Sequence, residues 1–211
     1  SYMTCCYVKT KGSDRPAADE VAARYLFAER KSEGEFRKWN PHFGAGLRLL
    51  DRDGQSDLCA GFMSGRHPLD ASKFLTPSHG THWHEATPDA FAVYDGRAQL
   101  VGGRAPNYPS FAVPAAVYAA RPDVRAIVHA HPKAVMTLCG LDEPAVLPLS
   151  EPSFVFYERV ATLECDFFFG DDYVAKIVDA LRDGSKCCVL FKNHSFLMVG
   201  ASVEEVWLRC Y

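Results

Sequence analysis

No stretch of the chain stays apolar for the roughly 20 residues that a membrane-spanning helix requires, so a helical span is excluded. Neither sign of charge dominates. With 23 basic and 26 acidic residues the formal net charge is -3, which offers no electrostatic footprint for nucleic acid or an anionic membrane. Ser1 to Ser13 have none of the apolar core of a secretory signal. Because the chain opens on Ser1 rather than Met, a leader or tag upstream is expected. Internal repeats, low-complexity tracts and linkers are absent. So is any C-x-x-C pair among the eight cysteines: Cys5, Cys6, Cys59, Cys139, Cys165, Cys187, Cys188 and Cys210. Cys187 and Cys188 fall in an apolar run where neighbouring strand residues face opposite ways, so they are poorly placed to bridge each other. A 211-residue chain that is 48% apolar can bury a full core without covalent staples. Reduced, mostly buried thiols follow, and with them the cytoplasm or another reducing compartment.

The pattern of elements is α/β. Residues 1–16 read as a loose arm, and Ala17 to Arg30 as a helix. A second helix covers Gly44 to Leu50 and stops at the turn Asp51-Arg52-Asp53-Gly54. Short strands are expected near Cys59–Ser64, Lys73–Thr76 and Phe91–Tyr94, with a hairpin at Asp95-Gly96. Helices at Ser110–Ala120 and Pro132–Leu138 flank a strongly apolar strand, Val124–His131. Phe154–Phe169 is aromatic and β-branched and should hold a strand. A helix at Asp172–Leu181, two strands at Lys186–Phe191 and Phe196–Val199, and a last helix opened by the capping box Ser202-x-x-Glu205 complete the chain. The division expected is an N-terminal arm and helix, 1–40, and one domain, 41–211.

Chemistry concentrates in Arg125-Ala-Ile-Val-His-Ala-His131. Alternate strand residues share a face, so His129 and His131 project together with Ile127, while Val128 and Ala130 pack on the other side. Two imidazoles on one face at a strand end can share a cation, and a merely hydrogen-bonded histidine pair would read the same way. His194 follows the apolar run Cys187–Phe191 directly, and the exit of a buried strand can reach such a site. Three neutral imidazoles suit Zn²⁺, and also Fe²⁺, Co²⁺ or Mn²⁺, with positions left open for water and substrate.

From about Phe43 onward the sequence resembles the class II aldolase/adducin family. The resemblance rests on Ala119-Ala-Arg-Pro-Asp-Val124, Val128-His-Ala-His-Pro132, Asn193-His194, Val199-Gly200 and Ser202-Val-Glu-Glu205, in that order and spacing. It implies a three-layer α/β/α fold with a mainly antiparallel sheet of nine or a similar number of strands. It also implies a homotetramer with sites at subunit boundaries, a final helix running past Tyr211, and His129, His131 and His194 as metal ligands, most simply of zinc. In enzymes of the family the metal stabilises an enolate or polarises a carbonyl of a small carbonyl or hydroxy-acid compound.

The sequence also departs from the family pattern. The acid/base Glu of sugar-phosphate aldolases falls at Ser110, and the His that many relatives carry four residues later is Pro114. Gly61-Phe-Met-Ser-Gly-Arg66 resembles a phosphate loop in which Phe62 stands for Asn. Ser64 there, and Ser78 in Thr76-Pro-Ser78, are the substrate-binding candidates. Ser195 replaces the usual Gly after the metal His and is expected to alter the turn. Thr81-His-Trp-His-Glu85 reads as surface or supporting histidines, Glu151 as a candidate replacement carboxylate and Tyr157 as a core aromatic. His42 and His67 read as solvated loop residues, and Asp171-Asp172 as a helix start. Three functions stay open: a metal-dependent lyase-type enzyme with a small-molecule substrate; a non-catalytic, adducin-like scaffold or assembly subunit with a vestigial metal site; and an iron-dependent oxygenase.

Overall fold

Eight strands form one sheet in the computed structural model, which describes residues 40–67, 70–105, 109–166 and 170–211. The arm and helix expected before residue 40 lie outside the described residues, as does Phe167–Phe169. In chain order the elements are α1 (Asn40–Arg52), β1 (Phe62–Arg66), β2 (Phe74–Pro77), β3 (Phe91–Tyr94), β4 (Leu100–Gly102), α2 (Pro109–Ala120), β5 (Ala126–Ala130), α3 (Lys133–Cys139), β6 (Val160–Glu164), α4 (Asp171–Leu181), β7 (Cys188–Lys192), β8 (Phe196–Gly200) and α5 (Val203–Cys210). The strand order is β4-β3-β2-β1-β5-β8-β7-β6. All neighbours are antiparallel except β6 and β7, so the sheet is mixed. No helix among the described residues is long and apolar enough to cross a membrane.

Period-two alternation sorts the strand side chains into two cores. Met63, Leu75, Phe91, Val93, Val128, Leu190 and Met198 meet Phe43, Leu47 and Leu50 of α1 and Val206 of α5 on one face. Phe62, Phe74, Ala92, Ile127, Val189, Phe191 and Leu197 meet Val113 and Val117 of α2 and Tyr173, Ile177 and Leu181 of α4 on the other. The outcome is three layers, α/β/α. β5 lies fourth from the β6 edge, and every residue of it is buried.

Local chemistry explains where the elements differ from expectation. The strand expected within Phe154–Phe169 is β6, Val160–Glu164. Upstream, Glu151–Phe156 forms a 3₁₀ turn closed by a reciprocal capping box between Ser150 and Ser153. Pro152 has no amide to give a ladder, and the two serines satisfy the backbone locally. Phe154 and Tyr157 are therefore exposed, at 60% and 53%, and Tyr157 is not a core aromatic. The β3–β4 hairpin turns through Asp95–Gln99, where the Asp95 carboxylate accepts from the amides of Arg97 and Gln99 and the positive φ falls on Ala98. Cys187 and Cys188 do not face opposite ways. Both amides donate to the Arg159 carbonyl and both side chains enter the same core, because alternation begins only at Cys188. All six described cysteines are unbridged, and Cys59 is exposed. At α5, Ser202 Oγ accepts from the Glu205 amide, but the Glu205 carboxylate accepts from Ala201 rather than from Ser202.

Two positions depend on close packing around β5. Pro114 lies inside α2 and has no amide for the Ser110 carbonyl one turn earlier. The hydroxyl of Thr76 on β2 donates to that carbonyl instead, at 2.8 Å. Gly61, at φ +80°, opens β1 beside β5, where a Cβ would stand 2.4 Å from the His129 carbonyl oxygen. Only glycine fits there.

Candidate metal centre

β5 delivers His129 onto the α2/α4 face, opposite Phe62 of β1 and Leu197 of β8. His131 follows one residue past the strand end, so the expected sharing of a face with Ile127 and His129 holds. His194 sits in the β7–β8 turn. That turn is closed by the Phe191 amide donating to Ser195 O at 2.7 Å and pinned to the end of α3 by the Asn193 amide donating to Cys139 O at 2.8 Å. Asn193 takes the positive φ, at 57°. Ser195 therefore needs no glycine-like backbone.

The three rings converge through their Nε2 atoms. His131 Nε2 is 3.2 Å from His129 Nε2 and 3.0 Å from His194 Nε2. Ligands sharing one tetrahedral ion at zinc–imidazole bond lengths stand about 3.3 Å apart, close to these two separations, and the three ligand atoms all lie within 4.8 Å of one another. Among the described residues this is the one group of three or more His, Cys, Asp or Glu close enough to hold a metal ion.

Electrostatics keep the rings neutral. His129 is almost wholly buried, and desolvation holds its pKa well below the ordinary value, reinforced by the neighbouring His131 and His194. Burial lowers His131 too, against a weaker upward pull from Asp57. Burial and His131 bring His194 down to about 4. Neutral imidazoles at physiological pH are the form that ligates.

The outer nitrogens face acceptors. His129 Nδ1 donates to the Phe196 carbonyl at 2.7 Å; a carbonyl can only accept, so the proton is on Nδ1 and Nε2 is bare. His194 Nδ1 lies 3.1 Å from Cys165 Sγ, a thiol whose pKa burial pushes up to about 11. His131 Nδ1 is buried without a hydrogen bond, and the Asp57 carboxylate stands 3.6 Å away. That orphaned nitrogen fits a ligand whose proton moves to Nδ1 when Nε2 is taken by a cation, drawing the carboxylate in. The three histidines can thus hold a divalent ion.

A model of the Class II Aldolase and Adducin N-terminal domain matches residues 44–211. The chain belongs to that family. Among relatives, "Protein hu-li tai shao" of Drosophila melanogaster is 28% identical over 167 residues, covering 77% of this chain but 14% of that protein. "Alpha-adducin" of Rattus norvegicus is 29% identical over 171 residues, covering 76% of this chain and 22% of that protein. The chain thus spans a small part of both. An aldolase II superfamily protein from Pseudomonas syringae has the same fold, with a TM-score of 0.74 at 25% identity over 85% of this chain and 72% of its own.

Against the family pattern, the structure separates the histidine cluster from the other candidates. Ser64 is wholly buried; its hydroxyl donates to Leu75 O at 2.8 Å and lies 3.3 Å from the Tyr118 hydroxyl. Ser78 is also buried, its amide donating to Ala90 O. Arg66 is committed to the fold. Nε donates to Val124 O, Nη1 to Ala71 O and Nη2 to Tyr118 O and Arg121 O, with the guanidinium over the Tyr118 ring. Phe62 sets its ring 5.6 Å from that of His129, so an apolar wall stands where relatives have an amide. Ser110 is buried at the start of α2.

Glu151 is exposed. In Thr81–Glu85, Trp83 is buried while His84 and Glu85 point to solvent, in keeping with surface histidines. Two histidine readings need correction. His42 lies on α1 rather than a loop, and His67 is half-buried, its Nδ1 accepting from the Asp70 amide at 2.9 Å. Asp171 does begin α4. Asp57 and Cys165 carried no signal in the sequence, since each reaches the site through tertiary packing alone.

Proposed function

We propose that the chain is a metal-dependent lyase-type enzyme acting on a small carbonyl or hydroxy-acid compound through enolate chemistry. The observation that carries this is the convergence of three neutral imidazoles on one point through their Nε2 atoms. Three imidazole nitrogens aimed at one point are the arrangement that a shared cation needs. Zinc is the proposed ion, with iron, manganese or cobalt as alternatives the donor set also accepts. When bound, it supplies Lewis-acid stabilisation of charge on a substrate oxygen as a C–C bond breaks or a proton moves.

The chain's own residues shape what enters. Phe62 and Phe191 flank His129 and exclude water from that side. Because the Arg66 donors are spent on four backbone carbonyls, the loop has no guanidinium to offer a phosphate, which favours a non-phosphorylated substrate. Ser110 has no carboxylate to offer as acid/base.

Elemental analysis of purified protein, before and after zinc reconstitution, tests the reading. One equivalent of metal per chain, lost in His129→Ala, His131→Ala and His194→Ala, is expected. A wild-type protein that takes up no stoichiometric metal defeats the proposal.

An assembly role is the second reading, favoured by Leu147, Leu149, Phe154 and Tyr157, which lie exposed between α3 and β6. A homotetramer or a protein partner would cover them. If His129→Ala keeps the native assembly by sedimentation but abolishes a measured turnover, the purely structural role is eliminated.

A further inference from the structure

We infer that Cys165 is a positioning residue for the metal centre: its sulfur accepts the hydrogen bond from Nδ1–H of His194, leaving Nε2 of that ring bare toward His131. The inference rests on the metal-binding reading proposed above and deepens it.

Topology brings the thiol to the ring. β6 and β7 are the one parallel pair, with Glu164 level with Lys192. One residue on, Cys165 comes level with Asn193, next to His194 in the β7–β8 turn, and Sγ stands 3.1 Å from Nδ1. Tyr173 of α4 lies close enough to the same thiol to influence its charge. The ring itself is held between Phe191, 6.1 Å away, and His131, stacked at 4.9 Å, so the tautomer is the freedom left to it.

Two proton placements satisfy a 3.1 Å contact. If S–H donated to a bare Nδ1, the proton of His194 would sit on Nε2 and point into the cluster, and it would have to leave before a cation could bind. If Nδ1–H donates to sulfur, Nε2 is free to bind. His129 shows which arrangement the site has at the adjacent ring, since the Phe196 carbonyl can only accept. The same polarity at His194 makes two of three rings ready to ligate before any ion arrives. Partners on the outer nitrogen of a ligating histidine typically matter 10- to 100-fold in metal affinity.

Long-range ¹H–¹⁵N NMR of the histidine side chains in metal-free protein reads the tautomer, and Co²⁺ titration followed by visible absorbance reads the affinity. Nδ1–H at His194 is expected, with Cys165→Val weakening Co²⁺ about 10- to 100-fold and Cys165→Ser, which keeps an acceptor, staying within about threefold of wild type. Nε2–H at His194 in the wild type overturns the inference, as does wild-type Co²⁺ affinity in Cys165→Val. Should Cys165→Val not fold, Cys165→Ala serves as the acceptor-free variant beside Cys165→Ser. Nδ1–H in a wild type that binds no Co²⁺ upholds the proton assignment and defeats the metal reading alone.

Discussion

His131 and His194 stack with ring centroids 4.9 Å apart, 24° from parallel, and their Nε2 atoms 3.0 Å apart. Two cationic rings could not share that space. The packing therefore allows a charge on at most one of the two rings, and burial disfavours it on either through desolvation.

Metal binding should consequently resist acid. Protons compete with a cation only as the ligands titrate, and His194 does so near 4 rather than at its ordinary 6.5. Zinc affinity, measured by competition with a chromophoric chelator, should stay nearly flat from about pH 7.5 down to about pH 5. A decline centred near the ordinary histidine value would show that the rings are not held neutral.

The metal-free fold should lose stability over the same interval. His67 and His194 titrate at about 4 in the folded chain but at their ordinary 6.5 when unfolded. Between those values the unfolded chain takes up protons that the folded chain refuses. The stability these residues contribute is complete above 6.5 and is lost as pH falls toward 4. Urea denaturation at pH 7.5 and pH 5 checks the sign. Asp70, lowered to about 2 chiefly by its hydrogen bond from Ser72, adds a separate loss only below its ordinary 3.8.

Gly61→Ala should weaken both fold and site. The added Cβ adopts a left-handed backbone, which costs about 1–3 kcal/mol, and meets the His129 carbonyl at 2.4 Å, so β1 must move away from β5. A lowered Tm together with weaker Co²⁺ binding is expected. Unchanged metal affinity would show that His129 does not depend on this approach.

Thr76→Val removes the hydroxyl that donates to the Ser110 carbonyl and should cost about 0.5–1.5 kcal/mol, the net worth of one hydrogen bond. Pro114→Ala restores an amide one turn later. In that background Thr76→Val should cost markedly less, and a double-mutant cycle by chemical denaturation measures the coupling. Additive effects would disprove the relationship.

Arg66→Lys should behave like a deletion rather than a conservative change. An ammonium cannot reach carbonyls at Ala71, Tyr118, Arg121 and Val124 at once, and it loses the planar contact with Tyr118. A loss of about 2–3 kcal/mol in denaturant is expected, reflecting charge-assisted hydrogen bonds left unmade.

The histidine cluster was legible because it obeys strand periodicity: His129 faces as Ile127 does, and His194 stands at the exit of an apolar run that could only be an interior strand. The layered fold was legible for the same reason. Cys165 and Asp57 were not, since one arrives through a parallel register and the other through a loop far back in the chain. Phe154 and Tyr157 misled because aromatic content argues for a strand, whereas Pro152 and the two flanking serines decide the backbone locally. His67 was misread because its partner is a main-chain amide, which no residue type announces. Ser64 and Arg66 match a phosphate-loop pattern, yet tertiary packing gives their polar groups to the protein itself.

The bond from Thr76 to Ser110 also has a mechanical meaning. A helix that lacks one internal amide is a natural place to bend, and here the missing link is supplied from the sheet. The first turn of α2 is thereby tied to β2 as well as to its own helix, so a displacement of β2 would pull on that turn directly.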